Sequence, residues 1–404
     1  MAPCMTPTRR SILAVTSELP WPLNTGGHLR TFHVLRALSR HYRVRLVVPA
    51  TSDPRTQVDA LRDHGLDVIP VPVGARVRHR EAWRAASAAI ARQPYVFYRR
   101  HHWEAVQAEL ERQSALESPD VFYLDHLDSL VYRPLLPGTP AVIDLHNVYS
   151  TLADRAASEQ RFWPLRAYLR REAKLLHQRE RRAMRQSAAV LATSDEDIRL
   201  FTSLGGRTVL VPNGVDCSAY ADLPTGRPAG VANILYVGAM SWSPNAAAVV
   251  YLARHVMPKV TAVIPHARLG IVGRGATEDV KALAQIPGVD VLGEVAAVQP
   301  HLNESALLAV PLEAGGGTRL KILEAFAAGL PVVSTAVGCE GLRVTHGEHL
   351  TIAERPAFAD AIIAALSDAA SGVRLATNAR IRVRELYDWN TVGAAACDAV
   401  ARLC

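Results

Sequence analysis

The sequence predicts an α/β protein made of two doubly wound parallel sheets, and three observations carry that prediction. Short runs of Val, Ile, Leu and Ala recur along the whole chain and alternate with stretches of helical spacing, the pattern of parallel sheets covered by helices on both faces. At 404 residues the chain is too long for one ordinary core, so two domains are expected. Two segments rich in Pro and Gly, Val211–Asp216 and Leu223–Pro228, lie near the middle and offer a join.

In the first half, the apolar runs place strands at Ser11–Thr16, Arg43–Val48, Asp67–Val71, Val121–Leu124, Ala141–Leu145 and Ala188–Ala192. Between the first two, Leu29, Phe32, Leu35 and Leu38 recur at helical spacing. The second half repeats the style at Asn233–Val237, Arg268–Val272, Val289–Leu292, Ala306–Val310 and Pro331–Ser334. The stretch Thr377–Leu403 reads as helical with a break at Tyr387-Asp388-Trp389-Asn390. The expected domains are 1–210 and 211–389, with the last helix, 390–404, packing back on the first. Ligands of such sheets sit beyond the carboxyl ends of the strands, which points to a cleft between the two domains.

Composition and charge narrow the class. The chain is 49% hydrophobic and 21% charged, as soluble globular proteins are. Its net charge of +7 is concentrated in the first half, where residues 1–210 hold 30 Arg and Lys against 21 Asp and Glu. A basic half suggests an anionic partner. A helical pattern from Phe162 to Gln186 concentrates that charge: Leu165, Leu169, Leu176 and Met184 form a partial apolar stripe among eight Arg and Lys residues. It reads either as a surface helix with snorkelling arginines or as a peripheral contact with anionic lipid. It lacks the interleaved aromatics of a nucleic-acid groove, so no nucleic acid is expected. The five cysteines are scattered, without a C-x-x-C pair, which excludes a zinc ribbon or disulfide framework and fits a reducing cytoplasm. No apolar run is long enough to span a bilayer, and Thr6–Arg10 leads straight into a strand rather than a signal peptide. The expectation is a soluble cytoplasmic protein, peripheral at most to the inner face of a membrane.

The most telling stretch runs from Gly315 to Ala325, GGGTRLKILEA, between the strand at Ala306–Val310 and the strand at Pro331–Ser334. A glycine loop after a strand leaves backbone amides uncovered at a helix N-terminus, where the dipole favours an anion. Arg319 and Lys321 add positive charge there, and Glu324 lies further along the helix. The arrangement suits a sugar nucleotide, with the diphosphate on Gly315, Gly316, Gly317, Thr318, Leu320 and the two cations, and the ribose on Glu324. Gly26-Gly27, after the first strand, offers a second close approach of backbone to phosphate or sugar. His146 closes the strand Ala141–Leu145 at a carboxyl edge, flanked by Asp144 and Asn147. Asp195-Glu196-Asp197 resembles a carboxylate cluster for a metal, but its place after Ser194 at a helix start reads as a cap, and no metal is expected. Gly270–Gly275 is a glycine-bearing strand exit without the full dinucleotide spacing.

Taken in order, Pro22–Gly27, Asp144–Asn147, Ala192–Ser194, Val211–Asp216, Tyr236–Gly238 and Gly315–Pro331 resemble the retaining glycosyltransferases of family 4, which have the two-domain GT-B fold. The resemblance covers nearly the whole chain. It implies transfer of a hexose-type sugar from a UDP- or GDP-sugar to a glycan, lipid-linked or small-molecule acceptor, with retention and by front-face displacement. It implies no cofactor beyond the nucleotide sugar. It assigns His146 to the transferred sugar, with Asp144 orienting it or packing beneath it. Gly26, Gly27 and Gly238 go to the donor, and Glu324 to the ribose.

Two departures from the family pattern stand out. The Arg and Lys that commonly follow the strand-end glycine are replaced by Ala239 and Pro244. The first Glu of the usual Glu-x7-Glu motif falls on Gly316, which leaves Glu313 as its substitute and, with Asn147, a sugar-contact candidate. Lys321 and Arg319 are therefore expected to replace the missing cations. The alternatives are a sugar-nucleotide epimerase of the same fold or a nucleotide-sugar binding protein whose catalysis has decayed.

Overall fold

The structure is a computed structural model, and it describes residues 9–51, 53–226, 230–315 and 319–403. Gly316, Gly317 and Thr318 of the glycine loop thus lie outside the described residues. The chain forms two compact units: one takes the chain up to Pro212 together with the segment from Val392, and the other runs Asn213–Thr391. The sequence placed that join two residues earlier, at 211.

The first unit is a seven-stranded parallel sheet. Its strands are β1 (Ser11–Val15), β2 (Arg43–Ala50), β3 (Asp67–Pro72), β4 (Val121–Asp125), β5 (Ala141–Leu145), β6 (Ala189–Ala192) and β7 (Thr208–Leu210), in the order β3-β2-β1-β4-β5-β6-β7. Its helices are α1 (Gly26–Ser39), α2 (Arg55–Asp63), α3 (Arg78–Ile90), α4 (Glu104–Leu116), α5 (Tyr149–Glu159), α6 (Trp163–Gln186) and α7 (Asp195–Ser203). β1 is buried along its whole length, with Ile12 facing Val44 of β2 on one side and Val121 of β4 on the other. An unbroken apolar run is what a central strand covered on both faces requires. After β3 the chain returns to the centre to make β4. The strand order therefore reverses between β1 and β4, and in open α/β sheets that crevice is where ligands bind.

The second unit repeats the plan. Its strands are β8 (Asn233–Val237), β9 (Arg268–Val272), β10 (Val289–Gly293), β11 (Leu307–Val310), β12 (Val332–Ser334) and β13 (Thr351–Ile352), in the parallel order β10-β9-β8-β11-β12-β13. Here the reversal falls between β8 and β11. The helices are α8 (Ser243–Tyr251), α9 (Met257–Val263), α10 (Glu278–Lys281), α11 (Gln299–Glu304), α12 (Leu320–Ala327), α13 (Phe358–Ser367), α14 (Ala369–Tyr387) and α15 (Trp389–Ala401), the last ending in the first unit. Gly329 ends α12 with φ 66°, and a Cβ there would lie 2.9 Å from Thr225 Cα, so the turn needs glycine twice over. Among the described residues, no single helix is long and apolar enough to cross a membrane.

Local signals explain most helix ends. Thr25 caps α1, its hydroxyl accepting from the His28 amide at 3.2 Å. Gly26 and Gly27 are consequently the first turn of a helix whose apolar spacing begins only at Leu29. Ser194 caps α7 by accepting from the Asp197 amide at 3.1 Å, and Asp197 in turn accepts from Thr193 at 2.7 Å. The acidic run Asp195-Glu196-Asp197 is a helix start. The break between α14 and α15 falls at Asp388, whose carboxylate accepts from the Asn390 amide at 2.9 Å.

Candidate functional site

Each unit carries a cluster at its own strand reversal. In the first, β4 ends on Asp125-His126 and β5 is followed by His146, so the three side chains meet at the carboxyl edge of the sheet. His146 is buried, and its Nε2 lies 2.9 Å from Asp125 Oδ1. Asp125 is fully buried and also accepts from the hydroxyls of Thr16 and Thr31, each at 2.8 Å. Burial alone would raise its pKa, but the imidazoles of His126 and His146 and these hydrogen bonds outweigh it and hold the carboxyl well below its ordinary range.

Asp144, offered by the sequence as orienting His146 or packing beneath it, has its hydrogen bonds elsewhere. It takes Arg30 Nε at 2.9 Å and Nη2 at 2.6 Å on Oδ1, and the Tyr123 hydroxyl at 2.7 Å on Oδ2. Arg30 also donates to the carbonyls of Val211 and Pro212, at 2.6 and 3.1 Å. Both members of the pair are fully buried, so the pair is structural. His146 is 3.8 Å from Asp144, against 2.9 Å from Asp125. The residue that orients His146 is Asp125, which the sequence reading passed over.

His126 is the second residue it missed. Its backbone has φ 65° and ψ 164°, a conformation that costs a side-chain-bearing residue about 1–3 kcal/mol and is concentrated at functional sites. Its ring lies against His146 with centroids 3.7 Å apart, and its Nδ1 is 3.0 Å from the Tyr149 hydroxyl. Burial, then the neighbouring His146, pushes its pKa down. A Cβ on Gly27 would lie 4.0 Å from both rings, so the first turn of α1 faces the histidine pair. Asn147 stands half-buried one residue beyond His146.

Asp125, His126 and His146 bring one ligand atom each within 4.8 Å of one another, a spacing that a divalent cation also tolerates. Asp125 Oδ1 and His146 Nε2 are already hydrogen-bonded to each other, and His126 Nδ1 to the Tyr149 hydroxyl. Nearby, Asp128 is buried with Oδ1 unpaired, and burial raises its pKa to about 7.

In the second unit the cluster forms around Gly238, which follows β8. A Cβ there would fall 2.7 Å from Asn245 Nδ2 and 2.8 Å from Lys321 Nζ, so only glycine leaves room for them. Lys321, in the first turn of α12, donates to the Tyr236 hydroxyl at 3.1 Å and to Asn245 Oδ1 at 2.9 Å, and its Nζ sits 4.2 Å from the Tyr236 ring centroid. Tyr236 also donates to Asn245, at 2.7 Å. Both acceptors of the ammonium are neutral. Burial, then the charge of Arg319, lowers the Lys321 pKa to about 7. Asn245 and the Tyr236 hydroxyl were not legible as site residues, because nothing in their neighbourhoods marks them as partners of a lysine 76 and 85 residues away.

Arg319 is buried just before α12, donating to the Val337 carbonyl at 3.2 Å. A Cβ on Gly315, whose φ is 140°, would lie 3.2 Å from Arg319 Nη2 and 2.6 Å from the Trp242 ring. Leu320 opens α12, and Glu324 lies one turn into it. Burial raises the Glu324 pKa to about 7 against the pull of Lys321, and its carboxylate is hydrogen-bonded to the Tyr220 side chain. Glu313 points elsewhere. It pairs with Arg355 at 2.7 Å, and Arg355 stacks over Tyr251 at 4.3 Å.

Within the second unit, Gly238, Gly315, Arg319, Lys321 and Glu324 thus gather around the strand reversal; Gly26, Gly27, His146 and Asn147 gather in the first. Chemically, the second cluster sets two buried basic side chains, Arg319 and Lys321, beside the buried carboxyl of Glu324. The first is a hydrogen-bonding site of paired imidazoles over a buried carboxylate.

Comparison with known proteins bears on both units. Residues 25–214 match the model of a glycosyl transferase 4-like domain, and residues 232–368 match that of glycosyl transferases group 1. A glycogen synthase of Mycobacterium tuberculosis is 28% identical over 294 residues, 69% of this chain and 67% of that protein. A phosphatidyl-myo-inositol mannosyltransferase of Mycolicibacterium smegmatis is 28% identical over 201 residues, 48% of this chain and 51% of that protein. The matches therefore span between half and two thirds of these relatives' lengths. Among solved structures, Anabaena Alr3699/HepE in complex with UDP and glucose superposes with a TM-score of 0.66 at 16% identity, covering 97% of this chain and 99% of that one. At that identity the likeness is one of fold, and it matches the two parallel-sheet units seen here. With both domain models matched in order over most of its length, the chain belongs to the family 4 type of GT-B glycosyltransferases.

Proposed function

We infer that this protein transfers a hexose-type sugar from a nucleoside-diphosphate sugar to a hydroxyl acceptor, with retention and without a metal or other cofactor. The observation that carries the reading is Lys321: an ammonium enclosed beneath Gly238, held by two neutral oxygens, with its pKa lowered to about 7. A buried lysine left without a carboxylate in hydrogen-bond contact gains most from an incoming anion, and a diphosphate leaving group needs such a cation in the transition state. Arg319, beside the glycine loop, adds a second charge. Together they take the place of the cations lost at Ala239 and Pro244. Glu324 accepts the ribose hydroxyls in this reading, exchanging its bond to Tyr220 for them.

In the first unit, His146 on Asp125 and the tilted ring of His126 beside it offer hydrogen bonds to the hydroxyls of a sugar. Neither carboxylate of this cluster is free to act as a nucleophile: Asp125 is saturated by Thr16, Thr31 and His146, and Asp144 by Arg30 and Tyr123. That favours a front-face displacement in which the departing phosphate takes the acceptor's proton. A cavity of about 380 Å³ beyond β3, lined by Arg84, Arg99, His102 and Trp103, is the acceptor candidate within this unit. UDP is the favoured nucleotide because the fold neighbour from Anabaena was crystallised with it.

The test is a thermal-shift panel of UDP-, GDP-, ADP- and dTDP-sugars, followed by product analysis with the stabilising donor. Transfer to an acceptor, or slow donor hydrolysis abolished by His146→Ala, supports the reading. Epimerisation of the donor with no acceptor present would assign the protein to the epimerases instead.

A further inference from the structure

The first unit carries a surface that the transfer reaction does not use. Helix α6 is anchored from Glu172 onward, where Glu172 accepts from the Tyr95 amide at 2.9 Å, Leu176 is buried and Glu180 accepts from the Ser150 amide at 2.9 Å. Before that point every residue from Phe162 to Arg171 is at least partly exposed, so the first nine residues of the helix, roughly 13 Å of it, project from the core. The projecting end is not polar. Phe162 is 64% exposed and Trp163 70%, with Leu165 and Tyr168 exposed beside them. Phe162, Leu165 and Leu169 follow at helical spacing along one stripe, and Arg166 and Arg170 line the next.

Helix α3 continues the surface. The Arg171 guanidinium donates to the Ala89 carbonyl at 3.0 Å, which places the end of α3 beside α6. Among the described side chains of α3 only Ala88 is buried, while Trp83 is 78% exposed and Ile90 86%. Seven residues apart, Trp83 and Ile90 share one side of the helix. Large apolar side chains clustered at this exposure mark an interaction site in a folded protein.

Charge identifies the partner. From Gln160 to Arg171 the chain has four arginines and no Asp or Glu, and α3 has three arginines against one acid, Glu81, which is paired with Arg76 at 3.0 Å. A second copy of the same surface would bring like charges face to face. Tryptophan, phenylalanine and leucine among arginines fit the interface of an anionic bilayer, where the rings lie at headgroup depth and the guanidinium groups meet phosphates.

We propose that the projecting start of α6 and the outer side of α3 form a docking surface for an anionic phospholipid membrane. It narrows the wider contact over 162–186 that the sequence suggested, because the apolar side chains of the second half of α6 are buried and leave only polar and basic ones outside. The surface is independent of the transfer reaction and is tested without donor or acceptor.

The experiment is sedimentation of the full chain with vesicles of phosphatidylcholine alone or with about 30% phosphatidylglycerol. The protein is expected to bind the anionic vesicles at least about tenfold more tightly than the neutral ones, and to be released at high salt. Phe162→Ser with Trp163→Ser, and separately Arg166→Glu with Arg170→Glu, lose about tenfold in binding while keeping their circular dichroism and melting temperature. Arg181→Glu with Arg185→Glu makes the same charge change on the far half of α6 and keeps binding. No affinity of the wild-type chain for anionic vesicles overturns the proposal. So does an equal loss in the Arg181/Arg185 variant, which would mean diffuse charge attraction. Dimerisation abolished by the Phe162/Trp163 change, without vesicle binding, would give the surface to a second copy of the chain.

Discussion

His146 Nε2 lies 2.9 Å from Asp125 Oδ1, and that contact, not the nearer neighbour in sequence, orients the imidazole. Asp125 has no freedom of its own, since Thr16 and Thr31 bind its other oxygen. Replacing His146 by Ala should lower kcat for transfer by about 100-fold or more and leave nucleotide affinity nearly unchanged, because the cluster proposed to bind the nucleotide is in the other unit. Asp125→Asn should fall in between, losing kcat with little change in donor KM. Steady-state kinetics on both variants, beside calorimetric binding of the nucleotide, checks the pair.

Asp144 should behave differently. Removing it leaves Arg30 buried without its counter-ion, which costs about 3–5 kcal/mol. Asp144→Ala is therefore expected to lower stability by that order in urea denaturation, and Arg30→Met with Asp144→Leu to recover most of it. A loss of activity at unchanged stability would mean that Asp144 acts on the sugar after all.

The fold was legible because its signal is local. Continuous apolar runs gave Ala141–Leu145, Asn233–Val237 and Arg268–Val272 with their observed ends, and the break between α14 and α15 was visible at Asp388. β7 and β13 were not seen: they are edge strands of three and two residues, too short to leave a periodic trace. The site was legible only in part. Gly238, Lys321 and His146 announce themselves by type and place. Asp125 looked like the end of an ordinary strand, and its partners at 16, 31 and 146 are brought together only by the sheet. A strand ending in Asp-His at a carboxyl edge is the one signal that would have found it. Asp144 adjoins His146 in sequence, but its carboxylate is held by Arg30 and Tyr123.

Gly238→Ala tests the packing around Lys321. The added methyl would meet Asn245 and Lys321 below 3 Å. Donor affinity should fall by about tenfold, and the melting temperature should fall with it, because buried Asn245 must shift as well as Lys321. Calorimetry and thermal unfolding of the same sample decide it.

Burial raises the Asp128 pKa from 3.8 to about 7. Between those values the folded chain holds a proton that the unfolded chain has released, so this group's contribution to stability is lost as pH rises through the window. Asp128→Asn removes the cost of ionising it. The variant should exceed the wild type in stability by about 2 kcal/mol or more at pH 8, with the gain shrinking toward pH 4. Melting curves across that range give the answer; a gain that persists at pH 4 would contradict the assignment.

The most direct test of the donor site is calorimetric titration of the wild type and Lys321→Ala with UDP-glucose at pH 8, in two buffers of different ionisation enthalpy. With its pKa lowered to about 7, Lys321 is mostly neutral in the free protein at that pH, and an arriving diphosphate draws a proton onto it. The account predicts binding by the wild type with uptake of a fraction of a proton approaching one, and in Lys321→Ala an affinity at least about 30-fold weaker with that uptake gone. Equal affinity and equal proton uptake in the two proteins would contradict it.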